Sequence, residues 1–124
     1  MSNGTILYSS PPMVIGDHRW RAEVCGHATQ GAHLHYQYEV SPGCWYDEQQ
    51  WPDYDPDNSY GGLPCALSEL YLAYVREIVA ALAYGVECWL QNHADDHPYT
   101  MWVGFLRESL REYREQLDAE WEAT

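Results

Sequence analysis

Residues 19–25 read Arg-Trp-Arg-Ala-Glu-Val-Cys and residues 33–40 read His-Leu-His-Tyr-Gln-Tyr-Glu-Val, and these two segments decide the fold of the chain. In both segments apolar and polar residues alternate with a period of two, which is typical of β-strands that bury one face. Gly26 and Gly31 lie between the segments. We therefore expect the two strands to form an antiparallel hairpin.

The alternation also predicts a register for this hairpin. Placing His27 opposite His33 keeps the two apolar sets on the same face of the sheet. The same register brings Arg21 opposite Glu39, where the two side chains would form a cross-strand ion pair. Tyr38 is then expected on the buried face of the hairpin, together with Ala22.

Short apolar segments before the hairpin can extend the sheet. Residues 6–8 and residues 13–15 are candidates for an N-terminal strand or a sheet edge. Pro11 and Pro12 separate them, and proline lacks the backbone N–H that a ladder of hydrogen bonds requires. We expect at most an interrupted strand in this region.

Two helices are predicted in the second half of the chain. Pro64 is well placed to open the first, and apolar residues follow at helical spacing over residues 64–90. A second helix is predicted over residues 98–122, where large apolar residues form one stripe: Trp102, Phe105, Leu106, Leu110, Tyr113, Leu117 and Trp121. The expected fold is a single α+β domain, residues 1–124, in which a small antiparallel sheet packs against two α-helices.

The middle of the chain, residues 41–64, differs in character from both halves. Four prolines, three glycines and the absence of periodicity predict a loop without regular structure. Its many tryptophans and tyrosines indicate that this loop is ordered and packs on the body of the domain. Residues 47–58, here called the acidic segment, contain five acidic residues and no basic residue.

The net charge of the chain is −13, from 19 acidic residues and six arginines, without lysine. Nucleic-acid binding requires clustered basic side chains, so direct binding to DNA or RNA is disfavoured. Acidic side chains interleaved with aromatic ones suit contact with a basic protein, because the charges speed association and the rings supply contact area. The residues expected to bind such a partner are Asp47, Glu48, Trp51, Asp53, Tyr54, Asp55 and Asp57.

These features favour a small non-enzymatic inhibitor that binds a basic nucleic-acid-handling protein. Anti-CRISPR, anti-restriction and nuclease-immunity proteins inhibit in this way, and the chain is similar to them in size and charge. One alternative is that the acidic charge only keeps the protein soluble. The chain has no nucleophile, phosphate-binding or dinucleotide-binding motif, so neither catalysis nor a cofactor is expected.

A metal-binding module or small enzyme is the second alternative. Cys25, His27, His33 and His35 would share the polar face of the hairpin, and thiolate and imidazole are ligands that zinc prefers. Their spacing is not that of a known zinc motif, so hydrogen-bonded or exposed histidines remain the simpler interpretation. The spacing of the aspartates in the acidic segment resembles the start of a calcium loop, but the required glycine and glutamate are missing.

The four cysteines lie 19, 21 and 23 residues apart, and no two form a C-x-x-C pair. Residues 1–12 lack the basic region and apolar core of a secretory signal, and no apolar run approaches the ~20 residues that span a bilayer. We therefore expect reduced cysteines, no membrane contact and a cytoplasmic location.

Overall fold

A five-stranded antiparallel sheet packs against three α-helices in the computed structural model, which describes residues 5–27, 31–51, 63–93, 95 and 100–122. The strands are β1 (Ile6–Ser9), β2 (Met13–Ile15), β3 (His18–His27), β4 (Gly31–Ser41) and β5 (Cys44–Asp47). The helices are α1 (Leu63–Ala73), α2 (Val75–His93) and α3 (Thr100–Glu122). The expected α+β class and the expected hairpin are confirmed, whereas the expectation of two helices is wrong.

The N-terminal strand is present, in two pieces that both pair with β3. Between the pieces, the Ser10 N–H donates to the Ala22 carbonyl at 2.8 Å, and the Ala22 N–H donates to Ser10 Oγ at 2.9 Å. Ser10 is 5% exposed, so its hydroxyl replaces a backbone acceptor in the interior. The serine thus continues the hydrogen bonding of the sheet edge up to Pro11 and Pro12.

The hairpin register differs by two residues from the predicted one. His27 lies opposite Gly31 rather than His33, and Arg21 lies opposite Gln37 rather than Glu39. Packing on α2 explains the difference, because a Cβ atom at Gly31 would lie 2.8 Å from the Val86 Cα atom. Only glycine allows the strand to approach the helix this closely, and Gly31 also has a φ of +75°. The start of β4 is therefore set by a contact with a distant helix.

A shift of two residues preserves the faces of a strand, because side chains alternate with a period of two. Ala22 is fully buried and Tyr38 is 6% exposed, on the same face, as predicted. The cross-strand ion pair forms between Arg19 and Glu39 instead, with 3.2 Å between nitrogen and oxygen.

The prediction that residues 41–64 contain no regular element is wrong. β4 continues to Ser41, and a turn at Pro42 and Gly43 leads into β5, which is followed by a 3₁₀ turn at Glu48–Gln50. Proline followed by a glycine with a φ of +80° matches the type II turn, in which the third residue needs a positive φ. β5 has only four residues, too few for its alternation to be recognised. Residues 52–62 lie outside the described part of the chain.

The long helix predicted over residues 64–90 is divided into α1 and α2 at Tyr74. The Tyr74 N–H donates to the Tyr71 carbonyl at 3.2 Å, the i to i−3 pattern of a tightened turn. No glycine or proline marks this position, so the sequence carries no signal for the break. The last helix matches its prediction closely, beginning at Thr100 instead of residue 98.

The hydrophobic core lies between the sheet and the helices. α2 packs on β3 and β4 with one side and on α3 with the other, while α1 contacts β3. The most deeply buried large side chains are Trp20, Val24, Leu70, Ile78 and Val79. Within the described ranges, no helix combines the length and apolar character needed to span a membrane.

Candidate functional site

The sheet has an outer face, defined here as the face opposite the one that packs on the helices. Residues 21, 23 and 25 of β3 and their partners 33, 35 and 37 of β4 lie on this face, because side chains alternate along a strand and Ala22 and Val24 occupy the core. β5 adds further side chains through the pairing of Asp47 with Gln37. A connected group of polar side chains results, here called the outer-face cluster: Arg21, Glu23, Cys25, His35 and Asp47.

Glu23 is the centre of the outer-face cluster and is only 5% exposed. Its Oε1 atom lies 2.9 Å from His35 Nε2 and 3.4 Å from the Cys25 sulfur, which donates its proton. Its Oε2 atom lies 3.7 Å from Arg21 Nη2. A buried carboxylate is tolerated only with such partners, so three side chains from two strands compensate this charge.

His35 is held between two carboxylates. Its Nε2 atom faces Glu23, and its Nδ1 atom lies 2.8 Å from Asp47 Oδ1. Asp47 belongs to the edge strand β5, and its side chain is 52% exposed. Hydrogen bonds at both ring nitrogens fix the orientation of the imidazole.

Arg21 lies at the end of the outer-face cluster that is farthest from Asp47 along the hydrogen bonds and ion pairs. Its Nε donates to Gln37 Oε1 at 2.8 Å, and its guanidinium carbon lies 4.3 Å from the centre of the Trp45 ring. The ring face attracts the cation and restricts its motion. Arg21 therefore stays beside Glu23 instead of extending into solvent.

The environment of Cys25 makes its thiol a weak nucleophile. Burial, followed by the nearby negative charges of Glu23 and Asp47, raises the pKa of Cys25 to about 11. Reactive thiols need a positive environment that lowers their pKa. The Cys25 and His35 pair, which lies 3.5 Å apart, consequently lacks the activated thiolate of a cysteine hydrolase.

Of the four side chains predicted as a zinc set, Cys25 and His35 lie 3.5 Å apart, but the four do not come together as one group of ligands. The rings of His27, His33 and His35 form a row, with 5.9 Å and 5.7 Å between successive centres. Neighbouring histidines and burial lower the pKa of His33, burial being the larger cause. Among the described residues, the group whose ligand atoms lie within 4.8 Å of one another is Glu23, Cys25 and His35.

Glu23 is not among the residues predicted for a site, because the predicted register is wrong by two residues. The predicted register places Glu23 opposite Gln37, whereas the structure places it opposite His35. A search for buried acids on the predicted polar face would have found the residue, since acidic side chains are seldom buried without partners. His27 instead lines a surface cavity of about 370 Å³, together with Cys88 and His93 of α2.

The beginning of the acidic segment is attached to the body of the domain. Trp51 contacts Trp20 and Tyr38, with ring centres 5.4 Å and 5.0 Å apart, and is itself half-buried. Tyr38 also donates its hydroxyl proton to the Gln50 carbonyl at 3.2 Å. Glu48 is half-buried, and burial raises its pKa against the opposing effect of His35. The other predicted contact residues lie outside the described residues: Asp53, Tyr54, Asp55 and Asp57.

Most of the arginines are paired with acids of the same chain. Among the residues that the structure describes, four arginines contact carboxylates: Arg19 with Glu39, Arg21 with Glu23, Arg111 with Glu108 and Glu115, and Arg114 with Glu87. These pairs neutralise the local field of the cations. Acidic residues outnumber arginines 19 to six, so the chain remains strongly negative after this pairing.

Comparison of the chain with protein-family models, with curated proteins and with solved structures found no match. Its function is therefore inferred from the side chains and charges described above.

Proposed function

We propose that this protein is a small, non-enzymatic, cytoplasmic inhibitor that binds a basic nucleic-acid-handling protein and occupies its nucleic-acid channel. The observation that carries the proposal is the charge distribution. Of a net charge of −13, five negative charges without a compensating base fall within residues 47–58. A closely spaced row of carboxylates imitates the charge of a phosphate backbone, so the acidic segment can compete for a groove that binds nucleic acid.

The internal pairing of the arginines supports this proposal. An exposed cationic patch would repel a basic groove, and like charges across an interface reduce affinity. Arg19, Arg111 and Arg114 are more than half exposed but lie beside carboxylates. The neighbouring carboxylates therefore largely cancel the charges of these arginines at the distance from which a partner is attracted.

The attachment of the start of the acidic segment to the domain also supports the inhibitor proposal. Trp51 and the hydrogen bond from Tyr38 hold the start of the segment against the sheet, so less conformational entropy is lost on binding. Tyr46 on the neighbouring edge strand is 43% exposed. An exposed tyrosine beside carboxylates provides the contact area that charges alone do not supply.

The chemistry of the cysteines agrees with a non-catalytic role in a reducing compartment. Cys25, Cys44 and Cys88 are free thiols. Disulfides are rare where glutathione and thioredoxin keep thiols reduced, which fits the cytoplasmic location that we propose. The raised pKa of Cys25 argues against its use as a nucleophile.

Inhibition assays with purified enzymes test the proposal. The panel contains an RNA-guided nuclease, a restriction endonuclease and a nuclease of the kind that immunity proteins block, each with its DNA or RNA substrate. We expect cleavage by one of them to stop at stoichiometric amounts of this protein, and prior addition of the substrate to protect that enzyme. The proposal is wrong if every enzyme remains active at excess inhibitor. Inhibition that the substrate does not oppose would also contradict occupation of the channel.

A further inference from the structure

We propose that Glu23, Cys25 and His35 form a binding site for one divalent transition-metal ion, most favourably zinc, with Asp47 as the positioning residue for His35. The proposal is independent of the inhibitor function. It rests on the distances between the ligand atoms, on the contact between Asp47 and the imidazole, and on the burial of Glu23 and Cys25.

The distances suit tetrahedral coordination. Bond lengths of about 2.3 Å to sulfur and about 2.05 Å to nitrogen or oxygen give tetrahedral edges of ~3.5 Å and ~3.3 Å. The Cys25 sulfur lies 3.5 Å from His35 Nε2 and 3.4 Å from Glu23 Oε1. The edge between His35 Nε2 and Glu23 Oε1 measures 2.9 Å and would open by ~0.4 Å around an ion. The three atoms therefore need only a small adjustment.

The contact with Asp47 prepares His35 to act as a ligand. Histidines that bind metals commonly donate their second ring N–H to a carboxylate, which fixes the tautomer and the direction of the free lone pair. Asp47 Oδ1 lies 2.8 Å from Nδ1, on the side of the ring opposite Cys25 and Glu23. With the ring proton on Nδ1, the lone pair of Nε2 points into the space between the other two ligands.

Metal binding displaces the proton of the Cys25 thiol. In the metal-free cluster the Cys25 sulfur donates to Glu23 Oε1. A metal ion binds the thiolate, so its binding releases this proton and its affinity rises with pH. The Glu23 carboxylate, which accepts the thiol hydrogen bond in the metal-free cluster, would then bind the ion directly.

The ligand types select among metals. Thiolate together with imidazole favours zinc and related borderline ions over calcium or magnesium, which prefer oxygen ligands. Three protein ligands leave the fourth tetrahedral position to solvent. Glu23 and Cys25 are 5% and 7% exposed, whereas the His35 side chain is 17% exposed, so the ion would enter beside His35 and the exposed Asp47.

Titration of the full-length protein with Co²⁺, followed by Zn²⁺ in competition, tests the site. We expect one equivalent of Co²⁺ to bind and to produce a thiolate-to-cobalt charge-transfer absorption, which Zn²⁺ then removes. Cys25→Ser and His35→Ala should abolish this absorption. Cys88→Ser, which changes another free cysteine, should leave it unchanged. Absence of the absorption in the wild-type protein would overturn the proposal.

Two further variants test whether Asp47 positions His35 and whether the row of histidines takes part in metal binding. Asp47→Asn alters an exposed side chain, and we expect Zn²⁺ affinity to fall about 10- to 100-fold while the metal-free melting temperature changes little. His27→Ala is expected to bind Zn²⁺ like the wild type. Loss of binding in His27→Ala would show that the ligands are not the three named here, and unchanged affinity in Asp47→Asn would show that Asp47 does not position His35.

Discussion

Gly85→Ala is the substitution that tests the packing of the hairpin on α2 most sharply. In the middle of a helix, alanine is ordinarily more favourable than glycine by about 1 kcal/mol. At this position, however, a Cβ atom would lie 2.6 Å from the Ala32 Cβ and 2.8 Å from Leu7 Cδ1. Carbon atoms normally pack at about 3.5–4 Å, so the helix and strand must separate by nearly 1 Å. Steric strain therefore opposes the helix propensity of alanine.

The net effect follows from these two contributions. Overpacking a core costs about 1–3 kcal/mol and occasionally more. Close contact with Gly31, whose carbonyl oxygen would lie 3.0 Å away, leaves the new methyl group no direction in which to relax. We expect Gly85→Ala to lower the free energy of unfolding by about 2 kcal/mol. For a domain of 124 residues this corresponds to a melting temperature lower by about 8 °C.

Gly104→Ala in α3 is the matched control. A Cβ atom there meets no other atom within 4 Å, so this variant should gain stability by about 0.5–1 kcal/mol. Thermal and urea unfolding followed by circular dichroism measure both variants. If Gly85→Ala were as stable as Gly104→Ala, the close contact between α2 and the hairpin, and with it our reason for the register, would be refuted.

Three other substitutions or measurements address further parts of the structure. Ser10→Ala removes the acceptor of a buried backbone N–H and should cost about 1–3 kcal/mol in urea unfolding, and a cost below ~0.5 kcal/mol would contradict its place in the sheet. Leu106→Asp places a charge at a 3% exposed core position and should cost at least about 3 kcal/mol, whereas Met101→Asp, at an 89% exposed position, should melt like the wild type. Cys25, with a pKa near 11, should react with a thiol reagent in EDTA at pH 8 far more slowly than Cys44, and faster as the pH approaches 11. Equal rates at pH 8 would show that Cys25 is not held as a neutral thiol.

The faces of the hairpin could be predicted from the sequence, whereas its register could not. A period of two determines which side chains are buried, and a slip of two residues leaves that pattern intact. The register depends on the contact of Gly31 with Val86 and Gly85, which belong to a helix far away in the sequence. A local pattern contains no information about that contact.

Which residues form the outer-face cluster could not be predicted from the sequence for the same reason. Residue type alone marks Cys25 and His35 as possible ligands, whereas Glu23 joins them only in the register that places it opposite His35. The sequence marks Asp47 only as part of the acidic segment, because its contact with His35 depends on β5, a strand too short to be predicted. The break at Tyr74 was likewise unpredictable, since an i to i−3 hydrogen bond there follows no glycine or proline.

The most direct test of the inhibitor proposal is the rate of association with the enzyme that the inhibition assays identify, measured over a series of salt concentrations. The test variant replaces Asp53, Asp55 and Asp57 by Asn. The control variant removes the same amount of charge from exposed helix positions: Glu69→Gln, Glu112→Gln and Asp118→Asn.

Surface charges are screened over ~8 Å at physiological salt, so only carboxylates close to the partner influence the rate strongly. We expect wild-type association to slow steeply as salt rises, and the test variant to associate about tenfold more slowly at low salt with a weaker salt dependence. The control variant should behave like the wild type. If the test variant associated as fast as the wild type across the salt series, the acidic segment would have no part in binding.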